Sequence, residues 1–131
     1  MKSLIIGYGT TGKSFEQFLA TNSISFDIFD EDKTKLENKK NILDRLNDES
    51  ISDYVNLYIS PGIQLKKYFS TSCIGKLNYI SDLDLFFQNN KSIKIGVTGT
   101  NGKSTLVNYL NQTLNTVSSS VALGNIGLPI S

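Results

Sequence analysis

Two glycine-rich turns, each set between a short apolar run and a helical pattern, constrain this chain more than any other feature. The first follows Leu4-Ile5-Ile6 and reads Gly7-Tyr8-Gly9-Thr10-Thr11-Gly12-Lys13-Ser14; the second, Gly96-Val97-Thr98-Gly99-Thr100-Asn101-Gly102-Lys103-Ser104-Thr105, grows out of the run Ile93, Ile95 and Val97. An apolar strand that enters a glycine turn and leaves as a helix is the repeating step of a parallel α/β sheet. Glycines in such a turn let backbone N–H groups close around an anion.

The first turn satisfies two patterns at once, the G-x-G-x-x-G dinucleotide fingerprint and the strict phosphate-loop spacing that ends in Gly12-Lys13-Ser14. One stretch cannot serve both, so context decides. Phe15, Phe18 and Leu19 recur at helical spacing after the turn, and a second strand, Phe26-Asp27-Ile28-Phe29, ends in Asp30. That acid falls roughly twenty residues past the glycines, where a Rossmann-type unit sets a carboxylate against a ribose hydroxyl. Gly7, Gly9, Gly12 and Asp30 therefore predict a mononucleotide-binding βαβ unit, with Lys13 solvated in the first helical turn. The second turn departs from the strict pattern, carrying Val97 where glycine is expected. Its context is nevertheless that of a phosphate loop, with Lys103 toward the outer phosphates and the Ser104 hydroxyl toward Mg²⁺.

Composition narrows the chemistry. At 131 residues and 39% hydrophobic, the chain fills one domain core but hardly two. A net charge of +1, with Arg45 as the single arginine, leaves no electrostatic footprint for nucleic acid. The absence of histidine removes imidazole bases, His-based triads and most zinc sites from this stretch. Cys73 stands alone, which excludes an internal disulfide and leaves an ordinary, semi-buried thiol as its reading. The first strand begins almost at Met1, with no basic and apolar leader ahead of it, and no apolar stretch approaches the length needed to cross a bilayer. The expectation is a cytoplasmic monomer without nucleic-acid or membrane partners.

Further along, Glu31 to Ser50 is charged and asparagine-rich, with Leu36, Ile42, Leu43 and Leu46 as a faint helical stripe; it reads as a solvated helix or loop on the flank of the sheet. Val55 to Ile59 is the next strand and stops at Ser60-Pro61-Gly62-Ile63, a turn just beyond the carboxyl end of a parallel strand, where ligands sit in such sheets. Leu77 to Ile80 leads to Ser81-Asp82, an N-cap ahead of Leu83, Leu85, Phe86 and Phe87, with capping as the role of Asp82. Gln88 to Ser92 reads as an interdomain linker. A second module starts at Ile93 and offers one helix, with Leu106, Val107, Leu110 and Leu114 on a face, then a strand at Val121 to Leu123 and the turn Gly124 to Pro129. No Asp or Glu follows Asp84, although a P-loop enzyme needs an acid on a later strand to complete Mg²⁺ binding.

The string T-G-T-N-G-K-S-T at Thr98 to Thr105, followed by G-N-I-G-x-P at Gly124 to Pro129, resembles the Mur ligases of cell-wall synthesis. Joined to G-x-G-x-x-G at Gly7 and S-P-G-I at Ser60, it is most similar to the branch that adds D-glutamate. The resemblance covers the whole chain but only about the first third of such an enzyme. It implies an α/β protein in which residues 1–90 form a Rossmann-like parallel-sheet domain binding the UDP end of the precursor, and residues 91–131 begin a P-loop α/β ATPase domain. Gly9, Thr10, Thr11, Asp30, Ser60, Pro61, Gly62 and Asn125 would meet the UDP-linked substrate. Gly99, Thr100, Asn101, Gly102, Lys103, Ser104 and Thr105 would hold ATP, with Lys103 catalytic and Ser104 on Mg²⁺. The substrates would be UDP-N-acetylmuramoyl-L-alanine and D-glutamate, joined through an acyl phosphate. The remaining metal ligands, a carbamylated lysine and the D-glutamate domain would lie past Ser131. The resemblance also leads one to expect a basic group after Asp30, where Glu31 and Asp32 stand; Lys33 is the substitute at hand. Three other readings compete: a Rossmann oxidoreductase that leaves the second loop idle, the neighbouring ligase that adds L-alanine, and a non-catalytic nucleotide-binding module.

Overall fold

The computed structural model describes residues 2–124. Four parallel strands, β1 (Lys2–Ile6), β2 (Phe26–Phe29), β3 (Tyr54–Ile59) and β4 (Tyr79–Ile80), form one sheet in the order β2-β1-β3-β4. Four helices accompany them: α1 (Thr10–Thr21), α2 (Thr71–Ile74), α3 (Asp82–Asn89) and α4 (Lys103–Leu114). The N-terminal part is a Rossmann-like α/β sheet, as the glycine turn and strand spacing predict.

The central strand carries the core on both faces. Leu4 and Ile6 pack with Phe29, Leu57, Ile59 and Phe69 on one side, while Ile5 packs with Phe15, Leu19, Ile28, Tyr58 and Leu85 on the other. A strand buried on both faces reads as an unbroken apolar run because alternate side chains enter two different cores. α1 and α3 cover the Ile5 face. The opposite face is closed by a 3₁₀ turn (Leu65–Lys67), Phe69 and α2. Phe15 is fully buried, with its ring tilted against Tyr58 at 5.4 Å between centroids, and burial of one such ring contributes about 2–3 kcal/mol.

The charged segment after β2 does more than lie in solvent. It forms a 3₁₀ turn (Lys33–Leu36), then bridges Ile42 to Ile28 in parallel, with Ile28 N–H donating to Asn41 O and Leu43 N–H donating to Ile28 O, both at 2.9 Å. The edge of β2 is thereby covered, which removes a row of unpaired backbone groups. Leu36 enters the core on the α1 face and Leu46 the core on the other, so the segment wraps round the sheet edge. The four apolar residues anchor an irregular strap at two faces and an edge, which is why their helical spacing is faint.

Two details near the end of the domain differ from expectation. The N-cap of α3 is Ser81, and the residue that closes the capping box is Asp84; Asp82 is the first helical residue. Gln88 and Asn89, expected in a linker, belong to α3, and Lys94 Nζ packs over the Phe86 and Phe87 rings and bonds Asn90 O at 2.5 Å.

Of the second module, the loop-to-helix step is formed and the sheet is not. Neither residues 93–97 nor 121–123 are in a strand, and Ile93 is 96% exposed. Parallel strands need hydrogen-bonded neighbours, and the described residues supply none to these segments. Phe86, Ile95, Val97, Val107, Leu110 and Leu114 instead line an open apolar groove of about 600 Å³.

Gly12 leaves no room for a side chain. A Cβ on it would overlap the Gly7 carbonyl oxygen and come within 3.0 Å of the carbonyl carbon, whereas a Cβ on Gly9 would meet nothing within 4 Å. Gly12→Ala is expected to destabilise the protein by about 3 kcal/mol, since neither helix nor strand can yield. Gly9→Ala, at φ −86°, should stay within about 1 kcal/mol of the parent. Urea denaturation of both variants checks the difference.

Candidate functional site at the carboxyl ends of the strands

The chain leaves β1 through α1 on one face toward β2, and leaves β3 through the Leu65–Lys67 turn and α2 on the opposite face toward β4. Loops leaving β1 and β3 therefore diverge, and the crevice between them is where parallel sheets take ligands. Three backbone-centred bonds build it. Gly7 N–H donates to Phe29 O at 2.8 Å, Ser60 N–H donates to Ile6 O at 3.0 Å, and Ser60 Oγ donates to Gly7 O at 2.8 Å. Gly7 sits at φ +89°, and a Cβ there would lie 3.0 Å from both Ser60 Cβ and Ile63 Cγ1. Glycine is required for the backbone conformation and for the approach of the β3 loop.

Asp30 is 8% exposed and ties the turn to β2. Its Oδ2 accepts Tyr8 N–H at 2.6 Å, its Oδ1 accepts Asp32 N–H at 2.8 Å, and Lys35 Nζ lies 3.4 Å away. A carboxylate has about four lone-pair sites, so these donors leave room for one hydroxyl. The acid expected to face a ribose is thus also the latch of the glycine turn. Tyr8 is buried, its hydroxyl donates to Glu16, and Lys39 Nζ reaches Glu16 at 2.7 Å while lying 5.0 Å from the Tyr8 ring centroid. Burial pushes the Tyr8 hydroxyl above the usual tyrosine range. Burial would also raise Glu16, but hydrogen bonds from Lys39 and Tyr8 outweigh it and hold that carboxyl below the ordinary range. Neither Tyr8 nor Lys39 is legible as a site residue in the sequence, because a tyrosine between glycines and a lysine in a polar run carry no pattern.

The N-terminus of α1 opens onto the same crevice. Its N-cap, Gly9, has no side chain to accept from the first turn, and no acid occupies that turn. The free N–H groups at Thr10 and Thr11 and the helix dipole favour negative charge there. Gly9, Thr10, Thr11, Asp30 and Ser60 are brought together, with Pro61 and Gly62 on the exposed rim of the β3 turn. Lys33 turns away: its Nζ lies 3.2 Å from Asp44 O and 5.3 Å from the Phe29 ring centroid.

The second loop forms its own cradle ahead of α4. Gly99 at φ +147° and Gly102 at φ +75° take conformations that side chains disfavour, and Gly102 is the N-cap of a twelve-residue helix with no side-chain cap and no acid in its first turn. Lys103 Nζ folds over the loop, donating to Gly99 O and, at 3.1 Å, to Thr100 O. Residues 99–105 are all exposed, so N–H groups, the Lys103 ammonium and the Ser104 hydroxyl are accessible to a polyphosphate. Asn125 lies outside the described residues. Among the described residues, no cluster of three His, Cys, Asp or Glu side chains could hold a metal, and the loop offers hydroxyl oxygens at Thr100, Ser104 and Thr105. Cys73 is half-buried, and burial together with its bond to Asp48 raises the thiol, the opposite of an activated nucleophile. No helix among the described residues is long and apolar enough to cross a membrane.

Removing the Asp30 carboxylate orphans the buried Tyr8 N–H. Asp30→Ala should therefore cost about 2–3 kcal/mol of stability, while Asp30→Asn, which keeps one acceptor, should lose about half of that. Urea denaturation followed by circular dichroism reads both values.

Comparison with known proteins agrees with this geometry. Residues 1–74 match the family described as Mur ligase MurD-like, N-terminal domain. A UDP-N-acetylmuramoylalanine–D-glutamate ligase of Francisella philomiragia is 39% identical over 134 aligned residues, covering 98% of this chain and 30% of the relative. Two proteins of the same name from Francisella tularensis, subspecies tularensis and holarctica, are 37% identical over the same shares. The chain thus spans about 30% of the length of the curated relatives it matches. With the matched segment covering the glycine turn, Asp30 and the Ser60 turn, this chain belongs to the Mur ligase family, through its MurD-like N-terminal domain.

Proposed function

We propose that this chain supplies the UDP-precursor-binding domain and the phosphate loop of an ATP-dependent amide-bond ligase of peptidoglycan synthesis, one that adds D-glutamate to UDP-N-acetylmuramoyl-L-alanine. The observation that carries this reading is the meeting of Gly7, Asp30 and Ser60 at the open N-terminus of α1, in a domain whose relatives bear that ligase name. Residues 1–90 form the substrate domain and residues 91–131 begin the ATP domain.

In this reading the uridine and its phosphates enter the crevice. The Thr10 and Thr11 N–H groups meet negative charge, Asp30 accepts from a ribose hydroxyl, and Ser60, Pro61 and Gly62 wall the pocket. Gly99 to Thr105 would cradle ATP: glycine and helix N–H groups would hold phosphate oxygens, Lys103 would face the outer phosphates, and Ser104 would hold Mg²⁺. Bound Mg²⁺ supplies charge neutralisation between two approaching anions. A carboxylate is a poor electrophile because its leaving group is oxide, and transfer of the γ-phosphoryl group gives it a competent one. The amine of D-glutamate then attacks, and phosphate leaves. The work of Lys103 in this scheme is electrostatic: it offsets repulsion between the substrate carboxylate and the phosphate. The family resemblance assigns Asn125, which lies outside the described residues, to the same substrate.

Two titrations test the assignment. Calorimetry should show UDP-N-acetylmuramoyl-L-alanine binding at least about tenfold tighter than NAD⁺, a gap of about 1.4 kcal/mol; a reversed preference returns the domain to the oxidoreductase class. For the loops, Lys103→Ala should weaken a fluorescent ATP analogue by about tenfold or more, and Lys13→Ala by less than about twofold. Lys13 is exposed in the first turn of α1, so its loss removes a peripheral charge. Equal losses for the two variants would show that ATP does not use the second loop.

A further inference from the structure

Three acids in succession, Asp30, Glu31 and Asp32, follow β2, and a phosphate-bearing ligand arriving there meets repulsion unless a cation intervenes. Three lysines stand nearby, and their partners differ. Lys33 is committed to the Leu43 and Asp44 carbonyls and to the Phe29 ring. Lys35 is held between Asp30 at 3.4 Å and Asp32 at 3.9 Å, so its charge is already balanced. Lys67, in the 3₁₀ turn that follows β3, reaches Glu31 at 2.5 Å, with the two side chains 59% and 53% exposed.

The place of this last pair is informative. β1 lies between β2 and β3, so an ion pair joining the segments that follow its two neighbours crosses the carboxyl end of β1, where the glycine turn begins. The ammonium lies against an aromatic pair: Lys67 Nζ is 5.7 Å from the Tyr68 ring centroid, and Tyr68 in turn meets the Phe29 ring edge-on at 5.5 Å. Burial, with the Glu31 carboxylate beside it, pushes the Tyr68 hydroxyl up to about 12. An exposed carboxylate–ammonium pair contributes little to stability, and a phosphate with greater charge and more acceptor oxygens competes well for the same ammonium.

We infer that Lys67 is the cation that receives the phosphate of a nucleoside diphosphate at this crevice, with Glu31 as the internal anion that the phosphate displaces. The inference rests on the uridine-diphosphate reading above and deepens it by moving the specificity-determining charge from Lys33, next to Asp30 in sequence, to a residue on the β3 side. Lys67 acts on the phosphate and not on the nucleoside, and Glu31 opposes it.

The test compares UDP with uridine by calorimetry on the 131-residue chain, with circular dichroism and thermal melting to confirm folding. Lys67→Ala should weaken UDP by about tenfold while leaving uridine within about twofold. Glu31→Gln should strengthen UDP by about threefold, because the ammonium is no longer pre-paired. Lys33→Ala should lower the melting temperature yet leave the ratio of UDP to uridine affinity unchanged. Equal losses of UDP and uridine in Lys67→Ala, or loss of the phosphate preference in Lys33→Ala alone, overturn the inference while UDP binding to the parent chain preserves the reading beneath it. Should Lys67→Ala fail to fold, the rise or absence of a rise in Glu31→Gln decides the matter. Absence of binding of both UDP and uridine to the parent chain overturns reading and inference together.

Discussion

The close approach of Gly12, at the start of α1, to the Gly7 carbonyl at the end of β1 sets most of what surrounds it. Because no side chain separates them, the helix starts directly against the strand end, and its unpaired N–H groups are delivered to the crevice. The turn so formed has a positive-φ glycine and little to hold it from within. It is held from outside, by Asp30 on the β2 side and by Ser60 on the β3 side. Site and scaffold are therefore one construction: the groups that would recognise a nucleotide are those that keep the glycine turn in place.

The two glycine loops illustrate how local similarity and local environment part company. Both present a positive-φ glycine, a lysine and an uncapped helix N-terminus. Around the first, strands on either side donate and accept, a tyrosine is buried beneath it, and Glu16 and Lys39 complete a network. Around the second, Lys103 satisfies the loop carbonyls itself and the apolar side chains of α4 line an open groove. The first loop is held by tertiary neighbours, and the second by its own backbone and its lysine.

Charge at the mouth follows a similar division of labour. Lys2 and Tyr54 meet Asp27 at the far end of the sheet, at 2.7 and 2.6 Å, and serve only to tie strands together. At the carboxyl end, acids outnumber the cations left free to meet a ligand, and the pairing of Glu31 with Lys67 keeps a positive charge there without leaving it unbalanced. An exposed pair can be exchanged at small cost; the buried Asp30 cannot, since two backbone donors depend on it.

Much of the N-terminal domain was determined by the sequence alone. The apolar runs Leu4 to Ile6 and Val55 to Ile59, the spacing Gly7, Gly9, Gly12 and the position of Asp30 predict parallel strands joined by a helix, because side-chain period, glycine stereochemistry and chain length are local properties. The family resemblance rests on the same short strings. What only the tertiary structure decided depends on residues far apart in the chain. Leu36 and Leu46 lie on opposite faces because the segment wraps an edge, Asp84 rather than Asp82 closes the cap of α3, Lys67 pairs with Glu31 while Lys33 turns to the Asp44 carbonyl, and Ile93 to Val97 stay out of the sheet. An ion pair between residues 31 and 67 leaves no periodic trace in sequence, and a strand exists only when a neighbour accepts its hydrogen bonds. Such contacts are set by where the backbone is brought, and that is a property of the folded chain.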